Sequence, residues 1–442
     1  MCKAKKRVLI ITYYWIPSGG AGVQRWLKFV KYLRDFGWEP IVYAPKNADY
    51  AIVDHSFEED IPQDIEVLKH RIWEPYGLFH KLSGKDSKTM QAGFIDENKE
   101  KNWKDKLAIW IRGNFLIPDP RVFWVRPSIK FLSEYIRNHP VDAVISTGPP
   151  HSMHLIALGV KRKFPAIQWL ADFRDPWTNI DFYADLHPGF LADKIHHALE
   201  ELVVQKADQV VVVTPGHAKE YSVLCPKSIA MITNGYDAAD IQSTQMPLDD
   251  KFTITHTGSL NEARNPLVLW QALSELCQEI PGFSSKLQIQ LIGKVDFSIF
   301  DSIEKLGLGA QMVKIDYLPH AEAIAKQQSS QLLLLVVNNV ANAKGILPGK
   351  LFEYMGVRRP IVAIGPSDGD AAKIIEDSSS GVIVDYEDVR TMKTYISEYY
   401  QQYQTIGINV SNQDTAQYTR KALAGKIAGL LDEMVKQTGN IN

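Results

Sequence analysis

Lys350 and Glu353 stand three residues apart in the run G-I-L-P-G-K-L-F-E-Y-M-G-V-R-R-P-I-V-A-I, residues 345–364. The apolar run 332–337 ahead of it reads as a buried strand, and the Gly/Pro loop then leads into a helix opening near Gly349. A strand, a loop with Pro348 and a helix mouth present backbone N–H groups and the positive end of a helix dipole to an anion. Lys350 adds a mobile cation there. Glu353, one turn on, offers a carboxylate suited to paired hydroxyls such as those of a ribose. A phosphate seat beside a diol acceptor predicts a nucleotide diphosphate site.

Other residues could contribute. The loop Gly19-Gly20-Ala21-Gly22 follows a first strand, where Gly20 and Gly22 would let backbone approach a donor phosphate or an acceptor; a plain tight turn is the alternative. It fails as a dinucleotide fingerprint, because position 25 is Arg25 and the second strand ends in Ala44-Pro45 rather than an acid. Arg25 reads either as a surface charge or as a second anion contact. His151, after Pro149-Pro150, suits catalysis or sugar binding, or a purely structural role. Asp172, Arg174 and Asp175 follow the strand 167–171; they read as an Asp–Arg brace, or as sugar-binding groups with Asp172 or Asp175 as general base in an inverting enzyme. Asp368-Gly369-Asp370 spells D-x-D, but before the helix 371–377 it reads as a cap with acids on the dipole, so no metal is expected.

The elements that must hold these groups alternate. Strands are expected at 5–14, 39–43, 67–70, 143–146, 167–171, 209–213 and 229–232, with helices at 23–36, 129–138, 153–163 and 192–207. A turn at 233–237 and a polar linker at 238–250 follow. Strand and helix then alternate again from 253 to 402, and a last helix covers 415–435. This predicts an α/β chain of two Rossmann-like, doubly wound domains facing a central cleft: 1–240 for the acceptor, 241–410 for the nucleotide-sugar, and 411–442 as a helix packing back towards the first. With 442 residues, 45% hydrophobic and 23% charged, the chain suits two globular domains. A net charge of −2 with no basic tract argues against nucleic acid. The three cysteines, Cys2, Cys225 and Cys277, have no metal spacing, and no apolar run reaches the roughly 20 residues of a membrane span. The N-terminus does not read as a secretory signal, so a cytoplasmic protein is expected. In 99–124, Trp103, Leu107, Trp110 and Ile111 share a helical face among lysines. That suits an interfacial helix or a lipid-linked acceptor site, or an insertion packed on the first domain.

The run P-G-K-L-F-E-Y-M-G with R-P-I-V resembles the donor-binding motif of GT-B glycosyltransferases, most closely the family 4 type of bacterial surface polysaccharide synthesis. Y-Y-W-I-P-S-G-G-A-G-V-Q-R (13–25), the loop 148–152, D-F-R-D-P-W (172–177), T-N-G-Y-D (233–237) and H-T-G-S (256–259) agree in order and spacing, so the likeness covers nearly the whole chain. It implies that Glu353 binds the ribose, and that Gly258 and Ser259 belong to the donor loop. Family members carry a second glutamate where this chain has Gly345, and an Arg and a Lys where it has Ser259 and Asn265. Arg264 and Lys350 are therefore expected to supply the cations for the diphosphate. Tyr317 and Leu318 lie in the loop that packs on the base in the family. The resemblance implies transfer of a sugar from a nucleotide diphosphate-sugar to a glycan or lipid-linked acceptor. It also implies retention of configuration and no metal; a position peripheral to the inner face of a membrane is the expectation that residues 99–124 raise. A nucleotide-sugar 2-epimerase of the same fold and a non-catalytic nucleotide-sugar-binding subunit are the rival readings; an NAD-linked dehydrogenase is disfavoured.

Overall fold

A computed structural model describes residues 5–50, 52–75, 103–180, 183–225, 229–242, 246–408 and 415–439. Cys2, residues 99–102 and linker residues 243–245 lie outside them. The chain forms two compact units, one of residues 1–233 with 421–442, the other Asn234–Arg420.

The first unit is built on seven parallel strands: β1 (Lys6–Ile11), β2 (Trp38–Pro45), β3 (Glu66–His70), β4 (Ala143–Gly148), β5 (Gln168–Phe173), β6 (Gln209–Val212) and β7 (Ile229–Met231). Their order is β3-β2-β1-β4-β5-β6-β7. Both faces are covered, which is why β1 is a continuous apolar run rather than an alternating one. Leu9 and Ile11 join one core with Tyr43 and Trp169. Val8 and Ile10 join the other with Trp26, Leu27 and the last helix, Arg420–Gly439, through Leu423, Ile427 and Leu431. Lys6 Nζ and Trp38 Nε1 donate to Asp432 on that helix at 2.7 and 3.0 Å. The helix Ala21–Leu33 runs on through a short 3-10 turn and stops at Gly37, whose φ of +82° is the left-handed conformation that commonly ends a helix. A helix absent from the sequence reading, Pro215–Leu224, starts on a cap: Thr214 accepts from the His217 N–H, and proline takes the first turn. The helix predicted at 129–138 begins earlier, spanning Val122–Asn138 with Pro127 inside it.

The second unit carries six parallel strands: β8 (Phe252–Thr257), β9 (Leu287–Ile292), β10 (Met312–Ile315), β11 (Leu332–Val336), β12 (Ile361–Ile364) and β13 (Gly381–Val384). Their order is β10-β9-β8-β11-β12-β13. Ile254, Leu334 and Val362 face one core. Leu333, Leu335 and Ala363 face the other, with Leu351, Phe352 and Met355 of the helix Gly349–Val357. The polar stretch read as a linker begins with a short helix, Ala238–Gln242. Ile241 of that helix packs so closely on Gly356 that a Cβ there would lie 2.4 Å from its Cδ1. In each unit the chain leaves one central strand to one side and the next to the other. Crevices therefore form at the carboxyl ends of β1 and β4, and of β8 and β11, the places where doubly wound sheets hold ligands.

Candidate functional site

The helix Gly349–Val357 opens beside the β8–β11 crevice, with Pro348 as its cap residue and no side chain capping it. Lys350 folds back over the loop after β8. A Cβ built on Gly258 would lie 2.1 Å from Lys350 Nζ and 2.6 Å from its Cε. Gly258 also has φ +110°, so only glycine gives the ammonium this seat. Gly293, with φ +112°, brings the β9 exit so close that its Cβ would meet the Gly258 carbonyl at 2.6 Å. Burial and the Arg264 guanidinium push the Lys350 pKa down to about 8, while Glu353 opposes the shift. Two cations are thus held near one another in a partly desolvated place, an arrangement that an anion would relieve. Arg264, at the end of a short 3-10 turn, donates Nε–H to Asn338 Oδ1 just beyond β11.

Glu353 accepts a hydrogen bond at Oε1 from Gln327 Nε2. Gln327 is buried and also donates to Thr257 Oγ1 at 3.0 Å, and Thr257 meets the Tyr354 hydroxyl at 3.1 Å. This chain fixes the carboxylate from one side. His256, the residue before Thr257, is buried, and its Nδ1 lies 3.0 Å from the Leu334 carbonyl. Burial first, then the Lys350 charge, lowers its pKa to about 3, so the ring is neutral. Tyr317 is exposed and Leu318 half-buried in the loop between β10 and the helix His320–Ser329.

In the first unit, Asp172 is fully buried at the end of β5. It pairs with Arg25, whose Nη2 and Nε lie 2.9 and 3.2 Å from its two oxygens; Trp26 Nε1 and Thr147 Oγ1 donate at 2.7 and 2.9 Å. Burial favours the neutral acid, but these partners, Arg25 above all, outweigh it and hold the carboxyl below its usual range. Arg25 is 1% exposed and also donates to the Thr233 and Ile232 carbonyls. Neither reading of Arg25 from the sequence therefore holds: it is a buried structural cation, because a carboxylate and two carbonyls converge on it. Arg174, the neighbour of Asp172 in sequence, instead ties two loops together. It donates to Gly22 O at 2.8 Å, to Gly148 O at 3.3 Å and to Pro149 O. Gly22 is pressed under it, with a would-be Cβ 3.4 Å from Arg174 Nη1, while Gly20 caps the helix Ala21–Leu33 with φ +84°. His151 is buried, stacks on Trp177 at 4.7 Å and 8°, and has no partner at Nδ1. Burial, then His154, keeps its pKa well below the ordinary imidazole value. Asp175 is exposed.

The sequence matches no family model and no curated protein. Solved structures do match along the whole chain. A sucrose-phosphate synthase from Thermosynechococcus elongatus is 12% identical over 99% of this chain and 98% of its own, with a TM-score of 0.54. WaaG, a glycosyltransferase involved in lipopolysaccharide biosynthesis, is 12% identical over 98% and 99%, with a TM-score of 0.52. A putative UDP-N-acetylglucosamine 2-epimerase from Listeria monocytogenes is 11% identical over 98% of both chains, with a TM-score of 0.55. The chain has the GT-B fold.

At this identity the likeness is one of fold, so the roles of residues must come from their own geometry. Within the second GT-B unit, Gly258, Arg264, Lys350 and Glu353 gather around one crevice, with Pro348 and Gly349 at its helix mouth and Ser259 after Gly258. Within the first, Gly22 and the loop before His151 are joined by Arg174. Asp368 of the D-x-D pairs with Lys344, while Gly369 is the cap residue of the helix Asp370–Asp377 and makes no side-chain cap. Gln327 and Asn338 were not singled out from the sequence, and His256 only as part of the H-T-G-S run. His256 adjoins Gly258 at a strand end, a usable signal; Gln327 and Asn338 meet the site only through tertiary packing. On the helix Trp103–Phe115, Trp103, Leu107, Trp110 and Phe115 are exposed, each at 44% or more. Among the described residues, no helix is long and apolar enough to cross a membrane.

Proposed function

We propose that this chain is a glycosyltransferase that moves a sugar from a nucleotide diphosphate-sugar to a glycan or lipid-linked acceptor in surface polysaccharide synthesis. The observation that carries the reading is the Lys350 ammonium seated over Gly258, with Arg264 nearby and Glu353 one turn along. In this reading Lys350, Arg264 and the helix mouth at Gly349 hold the diphosphate, and Glu353 accepts from the ribose hydroxyls. Tyr317 and Leu318 flank the base. As the bond between the anomeric carbon and the phosphate oxygen breaks, negative charge grows on the leaving diphosphate. Fixed cations that meet it lower the barrier and make a metal unnecessary. The acceptor oxygen bonds to the anomeric carbon on the face from which the diphosphate departs, which retains configuration, and its proton passes to the departing phosphate oxygen. The first unit supplies the acceptor groups. His151 is a neutral imidazole suited to a hydroxyl, Asp175 is an exposed carboxylate, and Asp172 acts through Arg25 rather than on substrate. The exposed aromatic face of Trp103–Phe115 supports a peripheral membrane contact, where a lipid-linked acceptor would be met.

The likeness to a putative 2-epimerase favours a second reading, in which the donor itself is rearranged. Incubating the protein with UDP-, GDP- and ADP-sugars separates the outcomes. Transfer to an added acceptor supports the proposal, an epimer from donor alone supports the second reading, and binding without turnover indicates a nucleotide-sugar-binding subunit.

A further inference from the structure

A pocket of about 530 Å³ opens in the first unit at the carboxyl ends of β2 and β3, where the donor reading assigns nothing. Asn47 fixes its floor by exchanging hydrogen bonds of 3.0 Å with the Ile72 carbonyl and N–H, which locks the two strand exits together. Its lining, among the described residues, includes His70, Trp73, Glu74, Phe123 and Trp124. Trp73 and Phe123 are 60% and 46% exposed and meet edge to face at 4.9 Å. Trp124 beneath them is 1% exposed and stacked on Tyr43, yet its indole Nε1 has no partner; the buried Nδ1 of His70 has none either. The Glu74 side chain is 7% exposed, held between Arg121 at 3.1 Å and the Tyr13 hydroxyl at 2.9 Å.

We infer that this pocket binds a sugar ring. Asp49, Arg71 and Glu74 set polar groups in the wall beside this aromatic rim, the mixture that a ring bearing several hydroxyls requires. Two exposed aromatic side chains at the rim offer apolar area to the C–H face of the same ring. Asp49 and Glu74 share the wall with Arg71, so the lining carries both signs and favours a neutral polyol over a strong anion. The volume suits one or two sugar residues. That the sugar is the acceptor's rests on the transferase reading; that the pocket takes a sugar does not.

The test is saturation-transfer NMR on the full chain with the methyl glycosides of glucose, galactose, mannose, N-acetylglucosamine and rhamnose. Thermal shift with UDP and GDP runs in parallel. At least one glycoside is expected to bind, and Trp73→Ala to weaken it roughly tenfold or more while Trp73→Phe largely restores it. Both variants should keep the wild-type nucleotide shift. If no glycoside binds, or if binding survives Trp73→Ala combined with Phe123→Ala, the inference falls even where the nucleotide shift persists. Glycoside binding lost in Trp73→Ala, in a protein that no nucleotide stabilises, would instead leave the pocket standing and sink the transferase reading.

Discussion

Replacing Lys350 by methionine should stabilise the ligand-free protein and abolish its response to nucleotide. The lysine pKa lies at about 8 against an ordinary 10.5, so the fold disfavours the charged form. A shift of that size corresponds to a ceiling of about 3 kcal/mol at neutral pH, at ~1.36 kcal/mol per pKa unit. The ammonium also attracts Glu353 and keeps some solvent, so a net gain of about 1–2 kcal/mol is expected. The sign follows from a lowered pKa on a base. The unfolded chain binds the extra proton between pH 8 and 10.5, so the penalty is complete below pH 8 and disappears as pH rises through that window. Methionine keeps the length of the stem without the charge. Calorimetry at pH 7 should show the second unit melting higher, by roughly 2–4 °C per kcal/mol for a unit of its size. A nucleoside diphosphate at about 100 times its Kd should add ~2.7 kcal/mol to the wild type and little to the variant. A variant that melts lower, or that keeps the full nucleotide response, would refute the reasoning. The same experiment at pH 10 should erase most of the difference between the two ligand-free proteins.

Glu353→Ala and Lys350→Ala should each lower turnover tenfold or more, about 1.4 kcal/mol of barrier, read from initial rates of transfer. Gly258→Ala places a methyl group on Lys350 Nζ and forces φ +110° on alanine; a loss of about 1–3 kcal/mol in chemical denaturation is expected, together with weakened nucleotide binding. Asp172→Ala leaves Arg25 buried without its carboxylate and should cost about 3–5 kcal/mol, whereas Arg25→Met with Asp172→Leu should recover part of that in the same unfolding assay. Chelators should leave transfer unchanged, and a divalent ion that restored lost activity would remove the metal-free reading.

The periodic runs were enough to read two doubly wound sheets, because strands buried on both faces must be apolar throughout and the helices between them carry one apolar stripe. The Lys350–Glu353 spacing on a helix that opens beyond a strand was legible for the same reason: helix geometry alone puts both on one face. The seat that Gly258 gives Lys350, however, joins residues about 90 apart, and φ +110° at a glycine leaves no mark in the sequence. Arg25 and Asp172 are 147 residues apart, so only the folded sheet could show that the nearer Arg174 is not the partner. Local sequence determined which segments are strands and helices and which charges could serve. The order of strands decided which of those charges are buried together, since parallel sheets bring the ends of distant segments to one edge.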